Sequence, residues 1–449
     1  MPLAGHDMVV LADRSSGWCV LTTEEYKQLS QWLPDDFSNH EASATLEHLW
    51  EAGLVTQDGL PHPSSIYRPA PYPTAVLLKL TGACNIECEY CYDYDSKRFK
   101  AQQTLEVIQK TLENLLDKQE RFSVAFHGGE PLLKFGLMKQ VVEWLEPFHS
   151  RIGFSVQTNG TKFTQDILDF LEKYEFSVGL SLDGLDEKSN ALRKMRHRPT
   201  PLQAIESLMI ERPDFVRERC GFLAVASKTS APGLPDFALW LQDFGVKGLS
   251  ITFLDLIGRG QHLIDERLSP DEAVNVYRNL IDLIRRGAIH ELALRNILGR
   301  MHNLFTLQSR DLCYRGPCGA ASDFLVLDAE GAKRTCDCIY HPYFELDLTD
   351  NLENTGQHRS RNAILERHEW LREKGPTCAT CPLFGPCGGT CVAKAIAQHG
   401  SARNVDPVEC ALSQYIYPEF FQEFASSPKP LFKYYSFHED KPFEFVFAA

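Results

Sequence analysis

No stretch of the chain runs to about 18 uninterrupted apolar residues, so none reads as a membrane span. The opening residues, MPLAGHDMVVLADRSSG, lack the basic stretch and apolar run of a secretory signal, so the expected compartment is a reducing cytosol. Net positive charge is missing too. With 46 Lys and Arg against 60 Asp and Glu the chain carries −14, which argues against a nucleic-acid surface as the main partner. Internal repeats and low-complexity tracts are absent. What remains is ordinary for a globular protein: 449 residues, 43% hydrophobic and 24% charged, enough for two or three domains.

Cysteine is not scarce. There are 14, and in a large chain of a reducing compartment clustered cysteines point to metal binding or redox chemistry rather than disulfides. Eleven fall into two sets, three at Cys84, Cys88 and Cys91 and eight of the nine that lie over 313–410. Of the other three, Cys19 and Cys220 sit in apolar strand-like runs and read as plain buried thiols. Cys338 remains.

Residues 1–70 read as a small separate unit. DMVVLAD and WCVLT form a predicted hairpin joined by RSSG; Thr23 caps a helix over EEYKQLSQWL, and a second helix covers EASATLEHLWEAGLV. Pro61, Pro63, Pro69, Pro71 and Pro73 mark a linker. From 75 to 287, six β-branched runs (AVLLKL, SVAFHG, IGFSVQT, SVGLSLD, GFLAVAS and LSITFLD) alternate with helical patterns. Six βα units predict a parallel sheet, either a partial barrel or an open doubly wound sheet, with chemistry at the C-terminal strand ends. A helical bridge over 288–312 leads to a Cys-rich region, 313–410, of low expected strand content, and then to an aromatic tail over 411–449.

The first cysteines lie on the loop after the first strand, in KLTGACNIECEYCYDYD, with C-x3-C-x2-C spacing. Structural zinc takes four ligands, so three thiolates are incomplete for it. A four-iron cubane held by three cysteines leaves one iron open for another chelator. This spacing, with Tyr90 before the last cysteine, resembles the radical S-adenosylmethionine (SAM) enzymes. The resemblance implies a partial (β/α)6 TIM barrel, a 4Fe-4S cluster on Cys84, Cys88 and Cys91, and S-adenosylmethionine on the open iron, giving a 5′-deoxyadenosyl radical that abstracts hydrogen. HGGEP, at the second strand end, matches the family segment whose backbone and glutamate hold the cofactor's amino group, here Gly128, Gly129, Glu130 and Pro131. QTNG and SLDG end strands three and four, and resemble the polar strand ends facing cofactor or substrate: Asn159, Ser181 and Asp183, with Arg193 following. For Asn159 and Asp183 the plainer alternative is turn capping.

From Cys318 onward the pattern is C-x12-G-x4-C, a gap, C-x2-C-x5-C-x3-C, a gap, then C, with Gly331 at the glycine position. It resembles the SPASM extension of radical SAM proteins. That resemblance implies two auxiliary 4Fe-4S clusters, one on Cys313, Cys318, Cys336 and Cys391, the other on Cys378, Cys381, Cys387 and Cys410. TCDC offers both Cys336 and Cys338; spacing favours Cys336. Cys313 lies outside the strict motif, so the first cluster is either completed by it or open at that iron. Asp337 matches an aspartate that serves as base in anaerobic sulfatase-maturating enzymes, against the plainer reading of an exposed aspartate.

SPASM enzymes mostly modify peptides or proteins. CEYCYDYD and GGEPLL are closer to the maturases that crosslink side chains of ribosomal precursor peptides by carbon–carbon (cyclophane) or thioether bonds; the sulfatase enzymes carry Phe after the third cysteine and GGEPTL. The N-terminal order resembles winged-helix domains that capture a leader peptide by strand addition. With ten acidic and three basic residues in 1–70, DNA is disfavoured. The resemblance also implies an electron donor such as a flavodoxin or ferredoxin. The alternatives are a sulfatase-type maturase that makes formylglycine and a non-catalytic metal-binding recognition protein.

Overall fold

The computed structural model describes residues 1–3, 5–12, 18–32, 44–56, 60, 71–195, 198–305, 311–346 and 359–439. The expected RSSG turn, Pro61, Pro63 and Pro69, and the last ten residues of the aromatic tail lie outside them. The chain opens with the antiparallel hairpin β1 (Met8–Ala12) and β2 (Trp18–Thr22), then helices α1 (Thr23–Trp32) and α2 (Ala44–Glu51). The α1 cap is Thr22 rather than Thr23. Its hydroxyl accepts from Glu25 N–H at 3.2 Å, while the Glu25 carboxylate accepts from Thr22 N–H at 2.8 Å, a reciprocal capping box. Residues 1–3 run along the outer edge of β1, with Leu3 N–H to the Met8 carbonyl at 2.9 Å and Val10 N–H to the Met1 carbonyl at 2.8 Å.

The central body contains strands β3 (Ala75–Lys79), β4 (Glu87–Cys88), β5 (Phe122–His127), β6 (Ile152–Thr158), β7 (Ser177–Ser181), β8 (Arg193–Lys194), β9 (Cys220–Ala226), β10 (Gly248–Phe253) and β11 (Ala293–Leu294). Between them lie α3 (Leu105–Leu116), α4 (Phe135–Leu145), α5 (Gln165–Lys173), α6 (Pro201–Glu211), α7 (Pro213–Arg219), α8 (Leu234–Phe244) and α9 (Pro270–Arg285). The six expected strands pair in parallel in the order β3-β5-β6-β7-β9-β10. That order follows the chain in one direction, without the reversal of a doubly wound sheet, so the architecture is the partial barrel. Outward residues such as Val76, Leu78, Val124, Phe126, Val156, Val178 and Leu180 are buried in one apolar core with Ile108, Leu112, Val141 and Leu171 of the helices. The inward face is mixed, and its polar residues gather near the strand ends.

After α10 (Arg295–Phe305) come strands β12 (Phe324–Leu327) and β13 (Lys333–Arg334), then α11 (Arg359–Lys374), α12 (Phe384–Cys387), α13 (Val392–His399), α14 (Pro407–Ala425) and α15 (Pro430–Glu439). Strand content is low here, as expected, but β12 extends the main sheet in parallel beside β3, with β13 antiparallel outside it. The boundary expected at 410 falls inside α14. The described part of the tail packs as core: Tyr417, Phe420, Phe421, Tyr434 and Tyr435 are buried. The N-terminal unit has an apolar cluster of its own around Leu21, Leu29 and Leu49 and packs on this tail through Trp18. Trp18 sits among Phe305, Phe421 and Phe424 and donates its indole N–H to the Leu304 carbonyl at 2.7 Å. Among the described residues, no helix is long and apolar enough to cross a membrane.

Candidate active site

The loop after β3 carries Cys84, Cys88 and Cys91 and is fastened from three sides. Cys88 belongs to β4, which pairs antiparallel with β8, setting Cys88 opposite Arg193. The Cys91 carbonyl accepts from Arg259 N–H at 3.0 Å, and the Ala83 carbonyl accepts from Glu130 N–H at 2.8 Å. The last contact requires glycine next door: a Cβ on Gly129 would lie 2.0 Å from the Ala83 oxygen. Gly128 holds a left-handed φ of +85°. The HGGEP turn is therefore packed backbone to backbone on the cysteine loop.

All three cysteines border a cavity of about 510 Å³ at the C-terminal ends of the barrel strands. Tyr90, Gly128, Gly129, Asn159, Ser181 and Arg193 line it as well. Glu130, Pro131 and Asp183 are not among its lining residues. The Glu130 carboxylate turns to strand three's end, accepting from Asn159 N–H at 2.9 Å, Thr158 hydroxyl at 2.8 Å and Leu132 N–H at 3.0 Å. Burial pushes its pKa up to about 7 against those three donors. Asp183 forms a bidentate pair with Arg193 at 2.8 and 2.9 Å and accepts from Tyr90 hydroxyl and Val225 N–H. Asp183 thus ties the cysteine loop, β8 and β9 together, and the Arg193 guanidinium is committed to it. Asn159 has the capping role, its carbonyl accepting from Thr161 N–H at 3.0 Å, while its amide reaches Cys84 Sγ at 3.8 Å.

The later cysteines fall into two spatial groups. Cys378 feels the charges of Cys387, Cys410 and Cys381. Cys313 feels Cys318, Cys338 and Cys391, and Cys336 feels Cys391 and Cys318. Cys338, left over in the sequence, therefore joins the first group, whereas Cys220 is fully buried in the barrel core and Cys19 packs in the N-terminal apolar cluster. Asp337 is buried, borders the same cavity as Cys313, Cys338 and Cys391, and accepts from Tyr92 hydroxyl at 2.9 Å.

Sequence reasoning missed a charge cluster that joins the two halves. Lys79 is 1% exposed on β3; its ammonium donates to Asp93 at 2.5 Å and to the Asp337 backbone carbonyl at 2.9 Å. Burial alone would lower the Lys79 pKa, but Asp93, Tyr340 and Asp337 outweigh it and raise it. A lysine in the otherwise apolar AVLLK was the available signal, since a parallel strand buried on both faces has no ordinary place for a charge. Across the cavity, Lys394 bridges Asp255 at 3.2 Å and Glu409 at 3.0 Å. No local motif marks that group, because its members are scattered along the chain.

The donor set fits an iron–sulfur cluster better than free thiols. Burial pushes Cys84 up to about 12 and raises Cys88 and Cys91, as it raises the lone core thiol Cys220, but these three stand together on one loop at one cavity, as cluster ligands must. The cavity beside them has room for a nucleoside and polar strand ends to bind one. Residues 78–212 match the radical SAM superfamily. The chain carries a radical SAM domain.

Several curated proteins are similar to this chain. An uncharacterized protein of Methanocaldococcus jannaschii is 29% identical over 40% of this chain, a match that spans 62% of that protein's own length. The radical SAM cyclopropyl synthase TigE of Paramaledivibacter caminithermalis is 23% identical over 80% of this chain and 75% of its own. The cysteine-type anaerobic sulfatase-maturating enzyme of Clostridium perfringens is 24% identical over 71% and 89%. Among solved structures, anSMEcpe with bound AdoMet and Cp18Cys peptide superposes with a TM-score of 0.65 at 20% identity, covering 78% of this chain and 98% of that one. Streptococcus suis SuiB bound to its precursor peptide SuiA gives 0.56 at 16%, covering 91% and 99%. These likenesses support the radical SAM partial barrel as the fold.

Proposed function

We propose that the chain is a radical SAM maturase that oxidatively crosslinks side chains of a ribosomal precursor peptide by a carbon–carbon or thioether bond. One observation carries the reading: the cysteine trio borders a single cavity of about 510 Å³ together with Asp337 and with Cys313, Cys338 and Cys391 of the first auxiliary group. Hydrogen abstraction and removal of the second electron then act on one bound segment. Cys84, Cys88 and Cys91 hold the first 4Fe-4S cluster, and S-adenosylmethionine bound there supplies the hydrogen-abstracting radical. Cys313, Cys318, Cys336 and Cys391 hold one auxiliary cluster; Cys378, Cys381, Cys387 and Cys410 hold the other. Asp337, oriented by the Tyr92 hydroxyl, receives the proton released as the substrate is oxidised. A flavodoxin or ferredoxin delivers the starting electron.

The leader segment adds to the N-terminal hairpin. Residues 1–3 already occupy the outer edge of β1, which leaves β2 as the edge for a further strand among the described residues. The N-terminal unit over 1–70 is on this reading a recognition domain, and 75–287 and 313–410 are the catalytic barrel and the auxiliary-cluster domain.

A second reading, a sulfatase-type maturase, is favoured by the buried Asp337 beside the cavity and by the Clostridium perfringens relative. Anaerobic reconstitution followed by co-expression with short open reading frames beside the gene tests both. The expected result is roughly twelve irons per chain, 5′-deoxyadenosine production, and a peptide lighter by two hydrogens with no fragmentation between the joined residues. An aldehyde-bearing sulfatase peptide instead would favour the second reading. Zinc in place of iron, with no 5′-deoxyadenosine, would leave a metal-binding recognition protein.

A further inference from the structure

The first auxiliary group holds one thiol more than a four-iron cluster uses. Cys318, Cys336, Cys338 and Cys391 all pack against one apolar patch that includes Phe344 and Ile364, and Cys313 completes the group. Within it, the Cys336 and Cys338 sulfurs and the Asp337 carboxylate lie within 4.8 Å of one another, and the two thiols interact directly. A cubane spreads its protein ligands over the corners of a tetrahedron, one to each iron. Two sulfurs in mutual contact do not serve two corners at once; they address the same one.

Each has a distinct claim to that corner. Cys336 stands at the motif position, five residues after Gly331, and is not among the residues that line the cavity. Cys338 borders the cavity together with Cys313 and Cys391, and both of those cysteines feel its charge.

We propose that Cys336 and Cys338 are alternative ligands of a single corner iron in the first auxiliary cluster, Cys336 from the protein side and Cys338 from the cavity side. The exchange is a ligand substitution. The incoming thiol gives up its proton as its sulfur binds iron, the outgoing thiolate takes one up, and no oxidation state changes. The corner iron beside Asp337 thus keeps a thiolate ligand in both states, and the cluster survives the exchange. The inference rests on reading this group as a cluster site, and its test separates the two.

Wild type, Cys336→Ala, Cys338→Ala, the double variant and Cys318→Ala are reconstituted anaerobically as full-length chains. Iron, sulfide and the electron paramagnetic resonance of the reduced clusters are then measured. Each single variant should keep the wild-type iron content, with altered resonance of one auxiliary cluster. The double variant should lose up to a third of the iron, as should Cys318→Ala. Loss of that iron in either single variant overturns the shared corner while leaving the cluster reading intact. A wild-type chain without auxiliary iron overturns both. A second measurement needs no variant: the cluster-loaded wild type is alkylated with iodoacetamide and mapped by mass spectrometry. Label divided between Cys336 and Cys338 in different molecules supports the exchange, and label confined to one of them overturns it.

Discussion

Glu130 is the residue whose role the sequence and the structure state most differently. The GGEP match suggested a carboxylate facing a ligand. In the fold it is 1% exposed and serves as acceptor for three donors around the end of strand three. Its pKa is raised by burial from the ordinary 4.5 to about 7. The sign follows from linkage: a carboxyl whose folded pKa is raised contributes stability that is full below about 4.5 and is lost as pH climbs through about 7. A shift of this size is worth about 3 kcal/mol at most. In the cluster-free chain, the stability difference between wild type and Glu130→Gln, measured by urea unfolding, should move in favour of the variant between pH 5.5 and pH 8, in proportion to that shift. A flat difference would mean that Glu130 is not held protonated by its surroundings. The cysteine spacing, by contrast, was legible residue by residue, because a local loop sets the distances among Cys84, Cys88 and Cys91 whatever surrounds it.

At the scale of elements, the six barrel strands were readable from their β-branched runs, and the hairpin β12–β13 was not. DFLVLDAEGAKRT has a turn signal: Gly331 sits at φ +86°, and Asp328 accepts from Glu330 and Ala332 N–H at 3.0 Å each. What local sequence does not contain is β12's partner β3, some 250 residues earlier, and pairing with β3 is what makes the segment part of the main sheet. The open edge of β2 belongs to this scale as well. Val10 turns its N–H outward to Met1, so its partner Val20 also points its N–H away from the hairpin, toward the free edge. Val20→Pro removes that donor without breaking a β1–β2 bond. It should weaken binding of the leader peptide at least tenfold, by fluorescence anisotropy, and leave 5′-deoxyadenosine formation without peptide unchanged. Undiminished leader binding would rule out strand addition at β2.

Over the whole molecule, the barrel and the Cys-rich region are joined through Lys79. It leaves β3 to reach Asp93 on the cysteine loop and the Asp337 backbone in the auxiliary region, with Tyr340 hydroxyl on Asp93 at 3.1 Å. Removing one partner of a buried pair strands the other, at a cost of about 3–5 kcal/mol. Lys79→Met should destabilise the chain by that order in urea unfolding, and Lys79→Met with Asp93→Asn should recover most of the loss. No recovery in the double variant would show that the packing of the lysine stem, not its charge, holds the halves together. By itself the sequence determined the cysteine spacings, the alternation of strand and helix, and the glycines that let two backbones touch, because each of these is a property of neighbouring residues. Only the tertiary structure decided that Cys313, Cys338 and Cys391 share a cavity with Cys84, Cys88 and Cys91, that Glu130 pairs with the end of β6 and Asp183 with Arg193, and that a buried lysine ties β3 to a loop more than 250 residues later. Those outcomes depend on desolvation and long-range pairing, which come into being only when distant segments pack.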